Sequence, residues 1–216
     1  MQKVVLHNSI SIDGSLTNFE VNMPLHYQIV ANYQPELYLV GSNTIKVCGE
    51  SSGNIPIEEK ADFNKPKKAN ALSYWVIPDS TGSLKGLLHF GRRCEYCKDV
   101  IILLSEKTPK DYLTYLKERN YDYFIVGQEK VNLTKAFDLL SEKYCTNRII
   151  ADTGKILSNL LLEQNLVSQI SLLIHPTIVG KTAYRIFDNI NLTQNFKLIK
   201  KKIFPKNYVW LVYEPE

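Results

Sequence analysis

Residues 148–165 read RIIADTGKILSNLLLEQN. A short apolar run ends at Asp152, Thr153-Gly154-Lys155 follows, and the residues after it have helical spacing. A strand, a tight turn and a helix in this order present free backbone N–H groups and the positive end of a helix dipole, an arrangement that holds phosphate. The turn has one glycine and an aspartate beside it, so a capped helix start with no ligand is the alternative. Asn8-Ser9-Ile10-Ser11-Ile12-Asp13-Gly14 follows the first apolar run, Gly41-Ser42-Asn43-Thr44 the second, and Pro78-Asp79-Ser80 the third. Gly127-Gln128 follows a later one. Small hydroxyls and glycines let a backbone approach phosphates and ribose hydroxyls closely. Every α/β protein also needs such residues in its turns.

The elements that would position these residues alternate. Strands are predicted at 3–6, 36–40, 72–77, 99–104, 121–126, 148–151 and 169–175, from β-branched and aromatic runs bounded by turn residues. Helices are predicted over 24–32, with Asn22 as cap, after Pro109, over 133–144, with Asn132 as cap, and over 156–164. Residues 49–70 are polar and read as a surface excursion. Residues 195–204 and 208–213, joined by Pro205-Lys206-Asn207, read as a hairpin. The expectation is an α/β fold, a single domain over 1–216 with a mostly parallel central sheet and a C-terminal antiparallel hairpin. In such sheets ligands bind beyond the carboxyl ends of the strands.

Composition bounds the function. The 216 residues are 44% hydrophobic and 22% charged, with a net charge of +4. That is an ordinary globular balance, able to meet anionic small molecules but too weak and dispersed to argue for nucleic acid. No apolar run approaches the ~18 residues of a membrane span, and MQKVVLHNSIS has the pattern of neither a signal nor a transit peptide. A soluble, cytoplasmic protein is expected. Of four cysteines only Cys94 and Cys97 form a close pair, in RRCEYCKD, and the four histidines show no ligand spacing. A zinc site needs about four ligands, so no metal is expected and the pair reads as two loop thiols ahead of a strand.

SISIDG (9–14) resembles the S-x-x-x-DG strand end of the dihydrofolate-reductase-like family. The likeness is strongest to the reductase domain of the bifunctional deaminase/reductase of riboflavin biosynthesis and its stand-alone relatives. YLVGSNT (38–44) is similar to that family's second-strand vGsxT. The stretch from YFIVGQEK to IIADTGKIL looks like its gxxxvdlxxaL…ilvEGGxxL, and LLEQNLVSQISLLIHPTIVG (161–180) follows its LlxxgLvDElxlxixPxxxG. The resemblance covers about residues 3–213.

The resemblance implies a dihydrofolate-reductase-like fold, a homodimer, and NADPH as cofactor. It implies hydride transfer to the ribosyl group of a phosphoribosylamino-pyrimidine, a phosphorylated small-molecule substrate, with the protein orienting the reactants and excluding water. Asp13 and Asn8 would face substrate and nicotinamide, Asp13 as the group that helps open the ribose ring or protonates the leaving oxygen. An Asp-Gly turn is the plainer account of Asp13. Gly41, Ser42 and Thr44 would contact phosphate or substrate, and Ser80 the adenosine ribose and its phosphate. Gly127, Thr153, Gly154, Lys155 and Ile156 would form the pyrophosphate cradle.

Two departures stand out. Where the family has EGG, this chain has Asp152-Thr153-Gly154. The family's Gly-Gly peptide is often cis, and a threonine crowds that backbone, although its hydroxyl could cap the helix and Lys155 adds a positive charge. Where the family has LvDE, this chain has Leu166-Val167-Ser168-Gln169, with both carboxylates gone. The alternative function is therefore a non-catalytic relative that binds a nucleotide or a protein, or a reductase of another small substrate.

Overall fold

A computed structural model of the chain describes residues 3–51, 56–188, 190–191 and 193–216. Its elements run β1 (Val4–Ser11), α1 (Met23–Ala31), β2 (Leu37–Val40), α2 (Ser42–Ser51), β3 (Ser73–Pro78), α3 (Leu88–Arg93), β4 (Cys97–Leu104), α4 (Lys110–Glu118) and β5 (Asp122–Ile125). They continue with α5 (Leu133–Tyr144), β6 (Ile149–Asp152), α6 (Lys155–Glu163), β7 (Val167–His175), β8 (Phe196–Phe204) and β9 (Tyr208–Pro215). The chain forms two compact units, one of residues 36–147 and one of residues 3–35 and 148–216.

In the unit of residues 36–147 the strands lie in the order β5-β4-β3-β2, all parallel. Every residue of β2 is buried, as are the last five of β4, which is why they read as unbroken apolar runs rather than alternating ones. In the other unit the order is β6-β1-β7-β9-β8. The first three strands are parallel, and β9 and β8 run antiparallel at the edge. The fold class read from the sequence is the one observed. Helix α1 packs Leu25 and Ile29 on Leu173, Trp210 and Val212. Both expected caps are present: Asn22 Oδ1 accepts from the N–H of Leu25 and Asn132 Oδ1 from that of Lys135.

Several boundaries differ. The first strand runs on to Ser11, so Asn8 lies inside it rather than after it. Its centre, His7-Asn8-Ser9, is polar and buried, and it is hydrogen bonding across β6 and β7, not apolar patterning, that carries the strand through. Ser42 to Ser51 is helical rather than loop, and α3 had no counterpart in the sequence reading. Cys97 is the first residue of β4, buried, while Cys94 closes α3. Burial pushes both thiols up, the opposite of a reactive pair. The strand expected from Gln169 starts at Val167.

The expected excursion is partly pinned down. Residues 52–55 lie outside the described residues. Beyond them, Glu58 accepts from Arg119 Nε at 2.9 Å, the Asp62 carboxylate accepts from Arg93, and the Asp62 carbonyl accepts from Arg92. A 3-10 turn at Lys60–Phe63 is thus stapled to α3 and to the end of α4.

Candidate functional site

In the unit built around β1, the parallel strands β6, β1 and β7 end on one edge. There lie Asp152, Asp13 and the first turn of α6. This edge carries the residues the sequence singles out on the first and sixth strands.

Asp152 ends β6 and is held through both oxygens. Asn8 Nδ2 donates to Oδ1 at 3.2 Å, and to the carbonyl of Thr153 at 3.0 Å. His26 Nε2 lies 3.2 Å from Oδ2. His26 comes from α1 and is buried, with its Nδ1 3.0 Å from the hydroxyl of Ser9. Beside it, His7 sets Nδ1 against Ser171 Oγ at 2.9 Å, and Trp210 Nε1 donates to the same hydroxyl. The two imidazoles lie 4.6 Å apart. Burial, and next the nearby His26, lower the pKa of His7 from 6.5 to about 3, so it is neutral at physiological pH. Neither His7, His26 nor Ser171 was singled out as a site residue from the sequence, and Ser9 only as part of the stretch after the first apolar run. Two polar residues beside Asn8 at the centre of a strand with apolar flanks, VVLHNSIS, were the available signal, because such groups are buried only with partners.

The turn after Asp152 answers whether a helix start survives the lost glycine. The N-cap of α6 is Gly154, not Thr153. Thr153 is buried and turned inward, its Oγ1 2.8 Å from Ser158 Oγ, which donates to the Thr153 carbonyl at 3.1 Å. Ser158 has used its hydrogen on that carbonyl, so Thr153 is the donor of the pair. All peptide bonds of the described residues are trans. Gly154 has φ −68° and ψ 169°, and a Cβ there would meet nothing within 4 Å. The N-terminal turn of α6 therefore opens onto free space. Ile156 in that turn is 74% exposed, and Lys155 Nζ sits 4.5 Å from the centroid of the Tyr184 ring.

Asp13 is engaged differently. Its Oδ1 accepts from Ser11 Oγ at 2.7 Å and from the N–H of Val179 at 3.1 Å, and its Oδ2 from the N–H of Gly180 at 3.0 Å. Arg185 Nε donates to its carbonyl. The Ser11 hydroxyl, followed by the two backbone donors, lowers its pKa to about 2. Asp13 is thus ionised at neutral pH and ties the loop after β7 to the loop after β1.

In the unit of residues 36–147, the Gly41 carbonyl accepts from the N–H groups of Thr44 and Ile45, so Ser42 and Thr44 form the first turn of α2. Ser80 Oγ accepts from the N–H of Val131 at 3.2 Å. Gly127 has φ +135°, and a Cβ there would lie 2.1 Å from the Lys130 carbonyl oxygen. Only glycine fits this turn, whether or not a ligand is near. An apolar groove of about 300 Å³ in the unit around β1, with Leu162, Ile170, Leu172, Phe187 and Tyr213 in its wall, has none of the expected site residues in its lining. Among the described residues no cluster of His, Cys, Asp or Glu is arranged to hold a metal ion, and no helix is long and apolar enough to cross a membrane.

Residues 2–209 match the RibD C-terminal domain family. The chain belongs to that family. Its relatives among solved structures include a pyrimidine reductase-like protein of Corynebacterium diphtheriae, 16% identical, with a TM-score of 0.70 over 100% of this chain and 92% of that one. RibD of Acinetobacter baumannii is 16% identical with a TM-score of 0.69, and this chain spans 58% of its length. A riboflavin biosynthesis reductase of Saccharomyces cerevisiae is 17% identical with a TM-score of 0.68, covering 100% and 90% of the two chains. At these identities the likeness is one of fold. No curated protein matches the chain. The family is of the riboflavin-pathway pyrimidine-reductase type, in agreement with the resemblance over residues 3–213.

Proposed function

We propose that this chain is an NADPH-dependent reductase acting on the ribosyl group of a phosphoribosylamino-pyrimidine, working as a homodimer in the cytoplasm. The observation that carries the proposal is the open N-terminal turn of α6. Gly154 keeps an extended backbone with free space before it, and the threonine that replaces the family's glycine hides its side chain against Ser158. A cradle that a Cβ does not fill fits a dinucleotide pyrophosphate.

The backbone N–H groups of Gly154, Lys155 and Ile156 would hold that pyrophosphate with the helix dipole. Lys155 adds charge, and Ile156 offers an apolar surface beside it. Ser42 and Thr44 would contact phosphate or substrate, Ser80 the adenosine ribose, and Gly41 and Gly127 would keep their turns open. When bound, NADPH supplies the hydride. Asp152, at the end of β6, and Asn8, which reaches it from within β1, would orient the reacting groups. Asp13, ionised and saturated with donors, serves the reaction by fixing the loop around Val179 and Gly180 rather than by giving up a proton.

A second reading, a relative that binds a nucleotide or a protein without turnover, is favoured by the saturated Asp13. Calorimetry with NADPH and NADH on the wild type and on Gly154→Trp decides first. Tight NADPH binding, lost by at least about tenfold in the variant, supports the reductase, and NADPH oxidation with ribosylamino-pyrimidines then tests the reaction. A wild type that binds neither nucleotide removes the reductase.

A further inference from the structure

We infer that His26 is a positioning residue for Asp152: clamped between the Ser9 hydroxyl and the carboxylate, it fixes that carboxylate's orientation and keeps it ionised as an acceptor for a proton-donating group of the bound ligand. The inference rests on the proposed reductase reading for the identity of the ligand, but not for the coupling itself.

Asp152 Oδ1 accepts from Asn8 Nδ2, and Oδ2 faces His26 Nε2 at 3.2 Å. The His26 side chain is 3% exposed and that of Asp152 is 27% exposed. One partner is locked in the interior while the other reaches the open edge of the sheet. The tautomer follows from the partners. A carboxylate oxygen can only accept, so His26 carries its proton on Nε2, and Ser9 Oγ donates to Nδ1 when the ring is neutral. Asn8 adds a second sign of a built subsite. It is buried, and its Oδ1 has no hydrogen-bond partner within the protein, leaving an acceptor beside the clamped carboxylate. Two adjacent acceptors select a ligand group rich in N–H or O–H donors.

Among the described residues, the titratable groups facing His26 include Asp152 from β6, His7 from β1, His175 from β7 and Tyr27 beside it on α1. Burial holds both His7 and His175 below the ordinary histidine value.

The test is NMR on the full chain, read without any ligand. Long-range proton–nitrogen spectra report the His26 tautomer, and the side-chain carboxyl carbon of Asp152 reports its titration. In the wild type the Nε2–H form is expected at neutral pH. In His26→Leu the Asp152 titration moves up by about one pH unit or more, because a hydrogen-bond donor to the ionised form is lost. In His26→Gln, whose amide can still donate, it stays near the wild type. Ser9→Ala, a small change that leaves α1 in place, mixes the two His26 tautomers, so the idea remains testable even if His26→Leu does not fold. Unchanged Asp152 titration in folded His26→Leu, or an Nδ1–H tautomer in the wild type, overturns the inference. If the coupling is found but NADPH does not bind the wild type, the reductase reading fails and the clamp stands.

Discussion

Asp13 and His7 illustrate how differently two residues of one strand region titrate. The sequence offered Asp13 as an acid, yet the hydrogen bonds that Ser11, Val179 and Gly180 donate to its carboxylate leave it ionised down to about pH 2. His7 works in the other direction. Its ring is held neutral, with a pKa of about 3 against 6.5 in the unfolded chain. Between those values the unfolded state binds more protons, so the stability His7 contributes is complete above pH 6.5. It falls as the pH drops toward 3, by at most about 1.4 kcal/mol per pH unit. Urea unfolding at pH 7 and pH 5 is expected to show a larger acid loss in the wild type than in His7→Gln. Curves that fall in parallel would mean that another group titrates.

Element boundaries are set here by side chains that bridge elements. Arg92, at the end of α3, donates to both oxygens of Asp99 on β4, to the carbonyls of Asp62, Arg119 and Asn120, and lies 3.7 Å from the centroid of the Tyr121 ring. Asp99 is buried as well. Arg92→Leu removes one partner and strands a buried carboxylate, at a cost of about 3–5 kcal/mol. The expected readout is a large drop in the chemical unfolding midpoint. A loss under about 1 kcal/mol would mean that Asp99 is protonated or rehydrated at no great cost. Arg92→Lys should also lose most of the stability, since an ammonium cannot reproduce the planar fork. None of these contacts has a periodic signature, which is why α3 and the stapled turn at Lys60–Phe63 escaped the sequence reading.

At the scale of the molecule, the proposed dimer meets an uneven surface. The edge strand β8 is exposed through its interior, with Ile203 77% exposed, and it carries Lys197, Lys200, Lys201 and Lys202. Lysines on an edge discourage indiscriminate strand pairing, whereas the apolar groove beside β7 and β9 is the kind of surface a specific partner covers. Sedimentation is expected to give the mass of two chains, and Leu172→Lys, which puts a charge in the groove, is expected to shift the mass toward one chain. A wild-type monomer would count against the dimer. The family match from 2 to 209 runs through both compact units.

Alternating strands and helices, the closing hairpin, the caps Asn22 and Asn132 and the glycine-marked turns were all legible in the sequence, because they depend on local conformational preference and on burial repeated along one strand or helix. The family could be read as well, from motifs spread over the chain. Which polar groups are partnered was decided only in three dimensions. Thr153 pairs with Ser158 five residues away, but Asn8 and His26 meet Asp152 across 144 and 126 positions of chain. Asp13 is captured by Val179 and Gly180 from 166 and 167 positions away. A carboxylate's protonation state depends on those distant donors, so an acid suggested by its place in a motif became an anchor in the folded chain.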